Sequence, residues 1–570
     1  MKYKILAILC LCFILWFTIQ PVEQNWCGTD ILLSEVTSGI AIVAVLILVW
    51  RKQQMSLSAI DVVVALWFAY VMFRSYVDST YPCANFVLRV MQMVALYACL
   101  RLLLSSASIT ERIIIVVILL CGFYEVFLGG VQLLNGRSRH YLFLISGSFL
   151  NPGPYSIFLS IGLVMSCKMK KEYNANKSFL STMMSCFPVI FLILLPATWS
   201  RAALLSAAIC LGVVYWEKWK RYRWYVFGGL CIILIGLYFL KQGSADGRSI
   251  IYMISLLSIC HNPVFGSGVG SFCHQYAEEM ANFSIQHPTF YYQSADVIDG
   301  AFNSLLQIGV EQGLVGVSFA VLLVVLIFVR LGKCGKILSM GLLCLLIFSM
   351  FSYPFDQLPY QIIFVLIAAY AATGKMGVDP FIDRHQFFKW YLVPMMTLSC
   401  IVLLSVFAHL RITERIKAES EFKMIKGQRN VAFLNDYFKL CPLLLSNEQF
   451  LFDYSKILSR NGRYADSNAI LRQGTLISND PMFYVIQGNN YKKMGIKNEA
   501  EKAYIKAFDI MPNRLYPLYQ LMLLYEEEAN EEKSADMARR VLGFNEKVVS
   551  SATKEMKREA NRICKSIVTK

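Results

Sequence analysis

Gly247-Arg248-Ser249, His261-Asn262-Pro263-Val264-Phe265-Gly266-Ser267-Gly268-Val269-Gly270 and Asp299-Gly300-Ala301-Phe302-Asn303 mark out a polar segment inside an otherwise apolar chain. Apolar stretches long enough to cross a bilayer flank it on both sides, so the segment must lie at one membrane face. Reading outward from it, such stretches recur from Ile5 to about Phe407, each bounded by Lys, Arg, Pro or Gly. After Leu410 the sequence turns charged and helical, with no further span. The expected fold is all-α: a polytopic membrane domain over residues 1–410, a helical connector over 411–446, and a soluble α-solenoid over 447–570.

Composition agrees with this division. The chain has 570 residues, of which 56% are hydrophobic, and its mean hydropathy is +0.51. Soluble domains are usually less than half apolar. A formal charge of +16 invites a nucleic-acid reading, but the basic residues fall in short clusters at the ends of spans, where they set orientation. No basic stripe interleaved with aromatics follows in the tail, and no nucleic-acid partner is expected. The first span, Ile5 to Ile19, lacks a small-x-small cleavage site and reads as a retained helix.

Thirteen spans are expected, near residues 5–20, 31–50, 57–73, 86–104, 113–134, 155–168, 180–197, 202–216, 225–240, 303–330, 337–353, 359–373 and 391–408. Arg51-Lys52, Arg112, Lys168 to Lys171, Lys218 to Arg223, Arg330 to Lys336 and Lys375 to Lys389 all fall in alternate loops. They share one side if the N-terminus is cytoplasmic. The opposite loops, 21–30, 74–85, 135–154, 198–201, 241–302 and 354–358, are then extracytoplasmic, and the odd span count puts the tail with them. Cys27 and Cys83 sit in two such outer loops, and Cys260 and Cys273 both lie in the large one. An oxidising compartment would permit either pair to close, but spacing alone does not show that it does. No His or Cys spacing suggests a metal site.

From Asn447 the sequence repeats with a period near 34 residues, the tetratricopeptide length. Gly488, Tyr491, Gly495, Ala500, Tyr504, Ala507 and Pro512 form the clearest unit, echoed by Gly462, Tyr464, Ser467, Leu471 and Gly474 upstream. Ser534, Ala538 and Val541 echo it downstream. Small residues at 488 and 500 let paired helices approach closely. Such solenoids present a concave face that suits a docked protein or peptide; a plain spacer or an oligomerisation element is the alternative.

Arg201, in Trp199-Ser200-Arg201-Ala202, and Arg248 both fall at the outer surface in this topology. Guanidinium groups bind phosphate oxygens bidentately and keep their charge, so a lipid-linked pyrophosphate is the natural ligand. An arginine at a membrane boundary also occurs simply by snorkelling. The run Gly266–Gly270 lacks the Lys-Ser/Thr of a phosphate-binding loop and reads as a tight turn. Asp299, Asn303, Gln307 and Glu311 are four residues apart and would form one polar stripe on a helix. That stripe either glues helices together or offers an acid/base and acceptor-positioning face.

Ser146-Gly147-Ser148-Phe149-Leu150-Asn151-Pro152, Trp199-Ser200-Arg201-Ala202, Gly247-Arg248, Asn262–Gly268 and Phe302-Asn303-Ser304-Leu305-Leu306-Gln307 with Glu311–Gly316 occur in an order that resembles the O-antigen ligase/polymerase superfamily. The resemblance covers roughly residues 140–330. It implies a GT-C-like helical fold and transfer of a glycan from an undecaprenyl-diphosphate carrier at the periplasmic face of the inner membrane. No nucleotide sugar, other cofactor or essential metal is implied. Arg201 and Arg248 would hold the donor diphosphate, and Asn303 and Gln307 would position the acceptor. Many members carry a His-Asn pair where this chain reads Phe302-Asn303, and phenylalanine cannot accept a proton. His287, Asp296, Asp299 and Glu311 are the available bases.

The acceptor is left open between lipid A–core, a growing polysaccharide and a Ser or Thr hydroxyl of a periplasmic protein. A solenoid able to dock a protein partner shifts weight toward the last. A lipid-linked glycan transporter is the alternative of a different class. It would be expected to show broken-helix repeats in two halves, and no such internal symmetry is visible.

Overall fold

The structure is a computed structural model that describes residues 2–568, apart from 22–25, 52–56, 79, 108, 174–178, 223, 226–227, 230–235, 237–241, 291, 374–392 and 428–432. Among the described residues the only regular elements are helices. In chain order they begin with α1 (Lys2–Trp16), α2 (Gly28–Trp50), α3 (Ala59–Val77), α4 (Ala84–Ser106), α5 (Glu111–Asn135), α6 (Pro152–Tyr173), α7 (Phe179–Leu194) and α8 (Arg201–Val214). The polar segment contributes α9 (Gln242–His261) and α10 (Phe272–Gln286). Apolar helices then resume as α11 (Ser304–Cys334), α12 (Lys336–Ser349), α13 (Leu358–Thr373) and α14 (Val393–Ile425).

Six of these, α2, α3, α4, α5, α11 and α14, are long and apolar enough to cross a membrane. Shorter apolar helices cover Tyr3–Ile19, Phe187–Thr198, Arg201–Val214, Lys336–Ser349 and Leu358–Thr373. The chain is thus a helical membrane protein. The predicted span near 225–240 falls largely outside the described residues, as do the basic residues of 375–389. The other predicted spans each coincide with a helix.

Contacts near the helix ends fall into two groups. In one set Trp26 donates to Asn85 (3.0 Å), Arg74 to the Gly266 carbonyl (3.4 Å), Gln275 to Tyr81 (3.2 Å) and Asn151 to Tyr353 (3.4 Å). In the other, Arg51 donates to the Ser106 carbonyl (3.0 Å) and Lys171 to that of Val214 (2.7 Å). There the Glu111 carboxylate also accepts from the first free amides of α12, Ile337 (2.6 Å) and Leu338 (2.9 Å). A carboxylate at a helix N-terminus satisfies amides that have no partner within the helix.

α14 runs past Leu410 to Ile425. The tail's own helices are α15 (Leu434–Leu444), α16 (Glu448–Arg460), α17 (Tyr464–Thr475), α18 (Met482–Lys493), α19 (Lys497–Ile510), α20 (Leu515–Glu527), α21 (Glu531–Leu542) and α22 (Ser551–Val568). From α16 to α22 each helix packs on the next. Equivalent helices begin at 448, 482 and 515, and at 464, 497 and 531, so the sequence period reappears as a spacing of helix starts. The glycines are packing contacts. A Cβ on Gly488 would lie 2.4 Å from the Tyr504 ring, and one on Gly474 would overlap the ring of Phe483. Glycine at these points lets an aromatic residue of the neighbouring helix sit against the backbone.

This helical unit is docked on the chain's own polar segment. Ala277 and Ala281 of α10 pack against Ile510, with Tyr484 beside them. Past α10, the Asn513 amide donates to the carbonyls of Tyr292 (3.1 Å), Gln293 (3.2 Å) and Ala295 (2.8 Å). Asn479 accepts from the Ile298 amide (3.0 Å). Asp296 is bracketed by Arg514 (3.2 Å) and Lys547 (3.0 Å). Backbone that would otherwise be an irregular surface strip thus has its polar groups satisfied by side chains of the tail.

Candidate functional site

The site is built where the polar segment meets the apolar helices, and its geometry begins with glycines. Gly266 and Gly313 both have positive φ (68° and 64°), and a Cβ on Gly313 would lie 2.3 Å from the Val264 carbonyl oxygen. Only glycine permits that approach without strain. The helical course of α11 breaks there, and the gap is filled from the 263–268 turn. Ser267 and Gly268 donate amides to the carbonyls of Val310 (2.8 Å) and Glu311 (3.0 Å), while Leu314 and Val315 donate to those of Pro263 (2.8 Å) and Val264 (3.2 Å). The glycine-rich run is therefore a structural turn whose Ser267 and Gly268 amides are consumed by α11.

The expected polar stripe is corrected at its upper end. Asn303 is the N-cap of α11, its side-chain oxygen accepting from Leu305 (3.0 Å) and Leu306 (3.1 Å), and Asp299 lies before the helix. A cap residue has non-helical backbone, so four-residue spacing stops aligning side chains at that point. Gln307 and Glu311 do share a helix face. The Glu311 carboxylate is buried and accepts from the amides of Gly270 and Phe272 and from Gln307, which fastens the polar segment to α11.

Arg248 stands on α9, and the sequence allows this helix close approach at its neighbour Gly247, where a Cβ would lie 3.0 Å from the Ser294 carbonyl oxygen. Arg201 begins α8, after the N-cap Ser200 and Trp199 at φ 51°. The two arginines come within electrostatic reach of each other. Burial first, and then the like charge of Arg248, disfavour the charged form of Arg201. A pair of like charges in electrostatic reach of each other, one at the start of α8 and one on α9, concentrates positive potential there.

Phe302, with no role evident in the sequence, holds this arrangement. Its ring lies beneath the Arg248 guanidinium at 5.5 Å and meets the Tyr353 ring edge-on at 5.4 Å. Tyr252 donates to the carbonyls of Phe302 (3.2 Å) and Met350 (3.0 Å), tying α9 to the turn after α12. Phe302 itself has φ 52°, a backbone region that side-chain-bearing residues rarely occupy.

Asp356, which the sequence reading missed, completes the site. It lies in the short loop between α12 and α13, in Tyr353-Pro354-Phe355-Asp356, and faces a cavity of about 820 Å³. Although its side chain is exposed to that cavity, the protein packed around it, and then the charge of Asp299, push its carboxyl up to about 6. Tyr353 is coupled electrostatically to Asp356, Arg248 and Asp299. The available signal was a lone carboxylate in a very short loop. Spacing could not show that this loop folds against residue 299.

The cavity is mainly apolar, walled by α3, α4, α11 and α13, with Gln307, Glu311 and Asp356 at a polar end. Arg89 lines it as well, held by Asp30 (2.7 Å) and stacked over Trp26 at 4.3 Å. A second cavity, of about 700 Å³, has a lining that is about equally polar and apolar and is bounded by Arg248, Phe302, residues 293–298 and Asn545, Glu546 and Lys547 of the tail. The turn Phe302-Asn303-Ser304 separates the two, with Phe302 on one side and Ser304 on the other.

Residues 187–321 match the O-antigen ligase family model. That span holds both arginines and every site residue expected from the sequence, and it ends before Asp356 and the tail. No curated protein matches the chain.

Of the expected site residues, Arg201 and Arg248 are coupled electrostatically, Asp299 is coupled to Asp356, Gln307 and Glu311 stand in the wall of the apolar cavity, and Asn303 caps α11. His287 is not brought to the arginines. It is exposed at the end of α10, its ring against Phe283 at 4.5 Å, and it lines neither cavity. Asp296 is paired with the tail. Cys27, Cys83, Cys260 and Cys273 carry free thiols. Among the described residues no cluster of His, Cys, Asp or Glu could hold a metal ion.

Proposed function

We propose that this chain is a membrane glycosyltransferase of the O-antigen ligase type, moving a glycan en bloc from undecaprenyl diphosphate to an acceptor hydroxyl. The observation that supports the reading is the placement of Arg248, with Arg201 in electrostatic reach of it, beside the turn that divides an apolar cavity from one of mixed polarity. A lipid-diphosphate-linked glycan has the same sequence of chemistries: hydrocarbon, dianion, sugar. The match to the O-antigen ligase family supports it.

In this reading the arginines neutralise the diphosphate as charge develops on the leaving oxygen. The acceptor oxygen attacks the anomeric carbon, the bond from that carbon to the diphosphate breaks, and the diphosphate departs with the lipid. The acceptor proton passes to a carboxylate. Asp356 is the preferred base because it opens onto the cavity, is raised toward neutrality and is coupled to Asp299; Glu311, spent on Gly270 and Phe272, serves positioning, as do Asn303 and Gln307.

The wider assignment is a thirteen-span domain over 1–410, a connector over 411–446 and a tetratricopeptide-like unit over 447–570. The site and tail face the periplasm from the inner membrane. Lipid A–core, a polysaccharide and a protein hydroxyl all fit the donor chemistry. The tail's own hold on residues 292–298 supplies a use for the solenoid without a separate protein partner.

The deciding experiment compares lipopolysaccharide ladders and glycoprotein profiles of cells carrying the intact chain, no chain, or Arg248→Ala. Loss of one glycoconjugate with accumulation of its lipid-linked precursor in both defective strains supports the reading. Unchanged profiles in the deletion strain overturn it.

A further inference from the structure

We propose that the second cavity, with its mixed polar and apolar lining, is a sugar subsite for the glycan next to the donor diphosphate, and that the C-terminal helical unit supplies one of its walls. This rests on the reading of the chain as a lipid-diphosphate glycosyltransferase. It assigns to the tail a direct part in substrate recognition.

Position is the first argument. The sugar bonded to the diphosphate must lie beside the residue that holds the diphosphate, and Arg248 lines this cavity. The apolar cavity lies across the Phe302–Ser304 turn and suits hydrocarbon instead.

Chemistry is the second. The lining brings together the amide side chains of Gln293 and Asn545, the Glu546 carboxylate, the Arg248 guanidinium and the Phe302 ring. Sugar hydroxyls donate and accept at once, which suits paired amide, carboxylate and guanidinium groups, while an aromatic ring covers the C–H face of a pyranose. At about 700 Å³ the cavity has small-molecule dimensions, with room for a short oligosaccharide.

The third argument is that the wall from the tail is anchored. Lys547 pairs with Asp296 at 3.0 Å, and Gln293 donates to the Asn545 carbonyl at 2.6 Å. Glu546 is itself braced by Lys557 at 2.6 Å. The 545–547 turn between α21 and α22 is thus fixed against the polar segment, and the cavity has defined shape.

The test uses the full chain in detergent with two probes, bare undecaprenyl diphosphate and undecaprenyl diphosphate bearing a trisaccharide, binding being measured by thermophoresis. The intact chain should bind the glycosylated lipid at least tenfold more tightly than the bare one. Asn545→Trp, which fills the cavity from the tail side, should erase that gain and leave affinity for the bare lipid unchanged. Lys547→Ala, which loosens the wall, should reduce the gain; it serves as the primary variant if Asn545→Trp lowers the melting temperature. A gain that persists undiminished in both variants overturns the subsite alone. Failure of the intact chain to bind the bare lipid, with no effect of Arg248→Ala on either probe, overturns the glycosyltransferase reading and the subsite with it.

Discussion

The guanidinium of Arg248 lies over the ring of Phe302, 5.5 Å from its centre. A cation held on an aromatic face keeps its charge and its N–H donors while its position is fixed by an apolar group. This gives Phe302 a physical task at the point where the resembled family often carries histidine. A protonated histidine there would repel the guanidinium; phenylalanine holds the cation without titrating.

Phe302→Ala should therefore weaken transfer through Arg248. Cation–π contacts are worth about 0.5–2 kcal/mol, so kcat/KM should fall on the order of 3- to 30-fold. Phe302→Trp should keep most activity. An alanine variant with unchanged kcat/KM would show that the stacking is incidental.

Removing Arg248 itself should cost more. Arg248→Ala should lower kcat by on the order of 100-fold or more, the scale for losing one donor aimed at developing charge. Arg248→Lys should recover little, because an ammonium lacks the planar fork. Steady-state transfer on membranes with matched protein levels measures both.

The third expectation concerns pH. The Asp356 carboxyl stands at about 6, raised by the protein packed around it and by Asp299. If it takes the acceptor proton, transfer should rise with pH through about 6. Asp299→Asn removes a like charge and should move that limb to lower pH. Asp356→Asn should abolish it, with a loss on the order of 100- to 10,000-fold. The linkage sign is opposite for stability: the folded state holds the proton more tightly than the unfolded chain, so Asp356 favours folding at low pH. That contribution is lost as pH rises through about 6. Matched rate and melting curves for the three proteins check both signs.

Gly313→Ala should destabilise the fold. Its φ of 64° is unfavourable for alanine, and the new Cβ would meet the Val264 carbonyl oxygen at 2.3 Å. A cost of roughly 1–3 kcal/mol is expected for the backbone strain alone, read as a lower melting temperature of the detergent-solubilised chain. Gly130→Ala is the control, because a Cβ there meets nothing within 4 Å.

The tail's grip predicts a local effect. Asn513→Ala removes donors to three backbone carbonyls, each bond contributing about 0.5–1.5 kcal/mol net. Residues 287–302 should become markedly more sensitive to limited proteolysis while α16–α22 stay folded.

Much of this protein was legible in the residues alone, wherever the cause is local. Apolar runs of span length, basic clusters in alternate loops and a period near 34 each follow from bilayer thickness, span-end charge and helix packing, and these act along contiguous sequence. The glycines at 266, 313, 474 and 488 could be noticed there as well, though not which backbone or ring each one admits. What only the tertiary structure decided depends on segments distant in the chain. Asp356 joins Asp299 because the turn after α12 folds against the start of α11, and no periodicity connects residues so far apart. The stripe from Asp299 to Glu311 was misread because an N-cap at Asn303 ends the helical register that the spacing assumed. The tail's repeat announced a binding surface, yet its ligand in this structure is the chain's own 292–298 strip. Asn479 and Asn513 recognise that strip chiefly by its backbone, and backbone groups leave no signature in the order of side chains.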